Sequence, residues 1–457
     1  MTIRFLAILI WAMTTAAAQT RQPATGIELK ATYAPVVQET APAVVNIFTS
    51  RTVRTRSIFD DPFFSQFFGT PPGGRERTQR SLGSGVILDA RGLIVTNNHV
   101  VEGMDEIRVV LADRREFDAE LVLADSQTDL AVLQIEAGEP LPTIPFADSD
   151  AAEVGDIVLA IGNPFGVGQT VSSGIVSALN RTNVSVSDYQ FFIQTDAAIN
   201  PGNSGGALVD IEGRLLGVNT AIYSRSGGSN GIGFAIPGNL VQRVLASARR
   251  GDIVVRRPWL GVIGADIDGR IAQALDLDRP RGALIRQIYE GGPADDAGLR
   301  EGDVVLSIGG QEVTDGEALR YRPATLNEGD TVDITYLRNG RERTTRARLA
   351  FPPERPRPDR TTLTGNHLLN GVTIANLSPA LNEELGRNPF DSGVVVLDLD
   401  PRRVSRRTPV RQGYLILSIN GQPTDDVDAV ERALRRGQVV ELTVRDTRGR
   451  TATYRVR

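Results

Sequence analysis

Between Ala43 and about Ile236, apolar residues come in short β-rich runs separated by glycine-rich turns: Val44 to Phe48, Ser84 to Leu88, Leu93 to Thr96, Ile107 to Val110, Leu130 to Leu133 and Ile157 to Ala160. Short strands at this spacing predict an all-β barrel or sandwich. The period changes at Gly238 to Arg250, where Leu240, Val241, Val244 and Leu245 share one helical face, so a helix is expected to close a first domain spanning residues 30–250. Between Arg51 and Arg80 the alternation breaks. Phe63-Phe64, Phe67-Phe68 and Pro71-Pro72-Gly73-Gly74 there read as a long flexible loop (51–80), whose phenylalanine pairs suit contact with another subunit or with substrate.

Farther on, a pattern repeats. Gly302-Asp303-Val304-Val305-Leu306-Ser307-Ile308-Gly309-Gly310 returns as Gly413-Tyr414-Leu415-Ile416-Leu417-Ser418-Ile419-Asn420-Gly421, each followed by a helix-like stretch (Gly316 to Tyr321, Val427 to Arg435) and a last strand. Arg256-Arg257-Pro258 and the Pro/Arg-rich stretch from Pro352 to Pro358 look like linkers. They delimit two units, 258–350 and 363–457, expected to be tandem domains of one α+β type.

A chain of 457 residues exceeds one hydrophobic core and should divide into roughly three domains. The net charge of −5 gives no case for nucleic-acid or membrane-surface binding. Cysteine is absent, which excludes thiol catalysis, disulfides and thiolate metal sites, and no metal or cofactor is expected. The two histidines are His99 and His367, the second expected on the surface. At the N-terminus Arg4, an apolar run from Phe5 to Met13 and the small residues up to Ala18 have the form of a secretory signal peptide over residues 1–18. That run is too short to span a bilayer, so an exported protein without stable membrane insertion is expected.

The strongest chemical signal is Asn200-Pro201-Gly202-Asn203-Ser204-Gly205-Gly206. A nucleophilic serine needs an exposed hydroxyl beside backbone N–H groups free to meet an oxyanion, and glycine permits the turn that aims them. Gly202, Asn203 and Ser204 are the candidate oxyanion donors. His99, in Thr96-Asn97-Asn98-His99-Val100, is the sole imidazole of this domain and the only candidate base for Ser204. A Ser–His pair needs an orienting carboxylate. Asp105, Asp113, Asp118 and Asp125 compete for that role; Asp129 is preferred because the apolar strand after it would bury it, and a buried carboxylate needs a partner.

The order His, Asp, Ser along a β-barrel pattern is that of chymotrypsin-type peptidases. With Ser84-Gly85-Val86-Ile87, Asp129-Leu130-Ala131-Val132-Leu133, Gly162-Asn163-Pro164-Phe165-Gly166 and Thr195 through Gly206, the chain resembles the HtrA/Deg family of protein-quality-control proteases over nearly all of its length after the leader. The resemblance implies a mainly β fold: a chymotrypsin-like double β-barrel protease followed by two α+β PDZ-like domains. It places Ala198, six before the nucleophile, at the base of the primary pocket, where an uncharged side chain favours apolar cleavage sites. It assigns the pocket loop to Asn219, Thr220, Ala221, Ile222 and Tyr223. Trp259, Leu260, Gly261 and Val262 resemble a PDZ carboxylate-binding loop, where backbone N–H groups hold a peptide terminus and the peptide adds a strand. Leu369-Asn370-Gly371-Val372 is a weaker counterpart. Unfolded polypeptides and peptide termini are the implied partners, and homotrimers or larger cages the implied assemblies. The rival functions are a chaperone whose protease fold only binds clients, and an esterase.

Overall fold

The computed structural model describes residues 32–53, 77–163, 168–181, 191–200, 202–222, 229–405, 407–435, 439 and 441–455. The expected leader, the phenylalanine pairs of the insertion and Tyr223 lie outside the described residues. Among the described residues no helix is long and apolar enough to cross a membrane.

After a short helix α1 (Ala34–Thr40), seven antiparallel strands form the first sheet: β1 (Val44–Val53), β2 (Arg77–Asp89), β3 (Leu93–Thr96), β4 (Glu106–Val110), β5 (Glu116–Asp118), β6 (Glu120–Asp125) and β7 (Leu130–Gln134). Their order is β5-β4-β1-β2-β3-β7-β6. The two ends of that order are joined through the single residue Ala119, so the sheet must curl on itself into a barrel. The insertion is narrower than residues 51–80, because β1 and β2 stay paired out to Val53 and Arg77.

The second barrel is closed, in the order β10-β13-β12-β11-β8-β9, from β8 (Ile157–Gly162), β9 (Thr170–Arg181), β10 (Phe192–Thr195), β11 (Ala207–Asp210), β12 (Leu215–Ile222) and β13 (Gly233–Pro237). A one-turn helix, α2 (Asn98–Val101), follows β3. Helix α3 (Gly238–Arg250) buries Leu240, Val241, Val244 and Leu245, each stabilising by about 1.5–3 kcal/mol, and stops where Gly251 turns left-handed at φ 77°.

The remaining chain forms two units of one strand order. The first has β14 (Val262–Asp266), α4 (Gly269–Ala274), β15 (Ala283–Ile288), α5 (Pro293–Asp296), β16 (Val304–Ile308), β17 (Gln311–Glu312), α6 (Gly316–Ala324), β18 (Thr331–Arg338) and β19 (Arg341–Arg348). Trp259 bridges Ala350, bringing its two ends together. The second has β20 (Thr361–Thr362), β21 (Val372–Asn376), α7 (Pro379–Glu384), β22 (Val394–Leu399), β23 (Leu415–Ile419), β24 (Gln422–Pro423), α8 (Val427–Arg435), β25 (Glu441–Arg445) and β26 (Thr451–Arg455). The duplicated motif supplies β16 and β23, which bury the same first, second and fifth positions. The second unit begins before residue 363: the Pro353 and Pro358 carbonyls already accept from Ala380 and Asn376 N–H. His367 is partly exposed, with its Nδ1 enclosed and its Nε2 3.3 Å from the Thr364 carbonyl.

The first unit is docked on the protease barrels through α6. Tyr321 stacks on Phe191 with centroids 3.8 Å apart, and Arg322 Nη1 donates to Asp150 Oδ1 at 2.7 Å. The linker is anchored as well, since Arg257 is buried in an ion pair with Asp125.

Candidate active site

Three distant stretches of chain meet where the two barrels face each other. His99 sits on α2, directly after the buried pair Asn97 and Asn98. Asp129 precedes β7 in a left-handed conformation at φ 56°, which a short polar side chain tolerates. Two amides hold it there: Asn98 N–H and Asn97 Nδ2 each donate to the Asp129 carbonyl at 3.0 Å. Its carboxylate is 5 % exposed and fully engaged. Oδ1 accepts from the His99 backbone N–H at 3.0 Å, Oδ2 lies 2.8 Å from His99 Nδ1, and Thr220 Oγ1 donates to Oδ2 at 2.7 Å. An acceptor at Nδ1 fixes the proton there and leaves Nε2 as the free basic nitrogen. Of the rival carboxylates, Asp125 is taken by Arg257 and Thr128, Asp113 by Arg115, and Asp118 lies beside Arg108.

The turn that carries Ser204 is closely constrained by its glycines. Gly202 is left-handed at φ 98°, and a Cβ on Gly205 would lie 2.1 Å from the Ser84 carbonyl oxygen, so that close approach needs glycine. Asn203 N–H donates to the Asn200 carbonyl at 2.9 Å. It is therefore committed to the turn, and the expectation of three oxyanion donors reduces to two. For the Gly202 and Ser204 N–H groups no partner occurs among the described residues. Ser204 Oγ donates to the Thr220 carbonyl at 3.2 Å, so its hydroxyl must rotate to engage His99.

The pocket residues separate on closer view. Ala198 is exposed, with its carbonyl accepting from Ser172 Oγ at 2.7 Å. Asn219 and Thr220 are both buried. Asn219 Nδ2 donates to the Ala207 carbonyl, and its own carbonyl accepts from Gly205 N–H at 2.8 Å, which supports the nucleophile turn from below. Thr220 occupies a bulge where β12 and β13 lose register between Asn219 and Ala221. A bulge re-aims the extra residue, and here it sends the hydroxyl to Asp129 and the carbonyl to Ser204. Ala221 and Ile222 follow in β12, paired with Phe234 and Gly233. Sequence reasoning missed the part of Thr220 because a bulge leaves no spacing signal.

In the first C-terminal unit, Gly261 has φ 72° and its carbonyl accepts from Tyr289 N–H, while Leu260 is buried and Val262 starts β14. β14 is an edge strand of its sheet, with Gly316 and Leu319 of α6 lying against its Gly264. Trp259 packs against Tyr289 and against Phe390 of the second unit, at centroid distances of 5.4 and 6.2 Å. In the second unit the equivalent edge is occupied, because β20 pairs with β21 through Thr361↔Ile374 and Thr362↔Thr373. The chain fills that groove with its own backbone. The buried Asp303, replaced by Tyr414 in the second unit, is paired with Arg338 at 2.6 Å.

Comparison with known proteins gives a trypsin-like peptidase domain over residues 83–218 and a PDZ domain over residues 258–349. A Halomonas elongata protein named "Probable periplasmic serine endoprotease DegP-like" is 41% identical over 413 residues, covering 85% of this chain and 84% of that protein. The periplasmic serine endoprotease DegP of Salmonella typhimurium is 36% identical over 466 residues, 96% of this chain and 94% of its own. Among solved structures, the HtrA-type protease AlgW with a decapeptide superposes with a TM-score of 0.52 at 46% identity, over 70% of this chain and 99% of AlgW.

Proposed function

The chain belongs to the HtrA/Deg family of exported serine endoproteases, and we propose that Ser204, His99 and Asp129 are its catalytic triad. The observation that carries this reading is the Asp129 carboxylate, buried and bonded to both the ring and the backbone of His99 beside the nucleophile turn. Ser204 Oγ swings from the Thr220 carbonyl to His99 Nε2, gives up its proton there and attacks the peptide carbonyl. The imidazolium formed is stabilised by Asp129, and the oxyanion is met by the Gly202 and Ser204 N–H groups. Nε2 then returns the proton to the leaving amine, and water repeats the sequence to release the acyl group. No step calls for a metal or cofactor.

Unfolded polypeptides are the proposed substrates. The neutral side chain at Ala198 fits apolar residues at the cleavage position. The edge position of β14 and the Gly261 loop suit capture of peptide termini, in line with the peptide carried by the AlgW structure. The second unit, its own edge filled by β20, suits assembly rather than peptide capture. Two PDZ-like units liken the chain to DegP and DegQ, with trimers or larger cages, chaperone activity and a periplasmic site of action as the corresponding expectations.

Casein digestion by the wild type and by Ser204→Ala tests the reading. Turnover should vanish in the variant, a fluorophosphonate should label Ser204 alone, and labelling should fall sharply in His99→Ala. Equal, negligible digestion by both proteins would make this a client-binding chaperone instead.

A further inference from the structure

Ser84 is fully buried in β2, on the first barrel, yet its polar groups reach across to the second. Its hydroxyl donates to the Gly202 carbonyl at 2.6 Å and accepts from Asn163 N–H at 2.8 Å, just past the end of β8. Its backbone N–H donates to the Ser204 carbonyl at 2.8 Å, and its carbonyl accepts from Thr96 Oγ1 at 2.7 Å.

Two of these bonds act on the first and last of three consecutive peptide planes. In a trans peptide the C=O of one residue and the N–H of the next point in opposite directions, so bonding both locks the plane. The Gly202–Asn203 plane is held by Ser84 Oγ on its carbonyl and by the Asn200 carbonyl on its N–H. The Ser204–Gly205 plane is held by Ser84 N–H and the Asn219 carbonyl. Between them, the Asn203 carbonyl accepts from Gly206 N–H at 2.9 Å, which turns the Ser204 N–H the other way, toward the substrate side. Of these holds, a side chain supplies only the one on the Gly202 carbonyl.

We propose that Ser84 is a positioning residue for peptide hydrolysis: its hydroxyl fixes the Gly202–Asn203 peptide and so keeps the Gly202 and Ser204 N–H groups aimed at one oxyanion. This rests on the triad reading above. Gly202 lacks a Cβ and its left-handed backbone has neighbouring wells available. Without the hydroxyl the plane is free to tilt, while the Ser84 backbone bonds, the barrels and the His99–Asp129 pair stay in place.

The test is steady-state cleavage of a fluorogenic peptide by the full-length protein carrying Ser84→Ala, Ser84→Thr or Ser84→Cys, with binding of a peptide boronic acid as a tetrahedral mimic. Complete loss of one oxyanion donor lowers kcat by about 10²–10³-fold, so a donor misaimed rather than removed should cost about 10- to 100-fold in Ser84→Ala. KM should stay within about threefold, because the ground state does not use these donors. Boronate affinity should fall in parallel with kcat; Thr should restore both and Cys, a weaker donor, should fall between. Wild-type kcat in Ser84→Ala overturns the proposal, as does a lowered kcat with unchanged boronate affinity. Should Ser84→Ala not fold, the Thr and Cys variants carry the same comparison. Wild-type protein that does not exceed Ser204→Ala would instead remove the hydrolase reading itself.

Discussion

Replacing Asp129 by asparagine separates the chemistry of the site from its folding, and the structure fixes which way the new amide must face. Oδ1 accepts the His99 backbone N–H at 3.0 Å, a donor that cannot change its role. An amide nitrogen at that position would set two donors against each other, so the asparagine oxygen takes it and the NH2 falls at the Oδ2 position. There it meets His99 Nδ1 at 2.8 Å and Thr220 Oγ1 at 2.7 Å. The threonine hydroxyl can rotate to accept. Of the two groups then in reach of Nδ1, the NH2 at 2.8 Å is nearer than the oxygen at 3.0 Å, which already accepts the backbone N–H, so Nδ1 is drawn to accept and its proton to Nε2, the nitrogen that has to receive the proton of Ser204. The base is therefore present in the wrong tautomer. The same exchange in this triad chemistry lowers kcat by about 10⁴-fold, or about 5 kcal/mol of transition-state stabilisation. Stability should change by less than about 1 kcal/mol, since the shape is kept and every buried group finds a partner. Peptide cleavage kinetics with thermal denaturation on the same samples give both numbers. Activity within tenfold of wild type, or a rate loss matched by loss of folded protein, would refute the reasoning.

Arg257→Met strands Asp125 as a buried carboxylate and should lower stability by about 3–5 kcal/mol in urea unfolding. Asp125→Asn added to it should restore much of that, and losses that simply add would disprove the coupling. Asp89, at the end of β2, is held well below the usual carboxylate range, first by hydrogen bonds from the Arg91 side chain, then by one from the Arg91 backbone N–H and by the charge of Arg249 on α3, against an opposing push from burial. A depressed folded-state pKa gives stability that is complete above the ordinary aspartate value near 4 and is lost as the pH falls below it. Asp89→Asn should therefore melt lower than wild type at pH 7, and the gap should narrow as the pH is lowered from about 4 toward 2. A gap independent of pH would show that the carboxylate charge is not its source.

Chain order and residue types alone single out His99, Asp129 and Ser204 as the proposed triad. A triad tolerates few substitutes, two histidines leave little choice, and burial by the apolar strand after Asp129 favours it over its rivals. Strand runs, the closing helix α3 and the duplicated units were equally legible, because periodicity reports which face of each element is buried. The insertion's width was not, since pairing out to Val53 and Arg77 depends on register between two strands.

What the sequence determined alone is therefore composition-limited chemistry and local periodic structure. Only the tertiary structure assigned Thr220 and Asn219 to the support of the triad, committed Asn203 N–H to a turn, placed Ser84 under the oxyanion donors and filled the edge of the second C-terminal unit with β20. All but the local Asn203 turn join distant segments, and each has a backbone N–H or C=O group as a partner. Every residue but proline carries the same pair of groups, so their partners are set by chain geometry and leave almost no trace in residue identity.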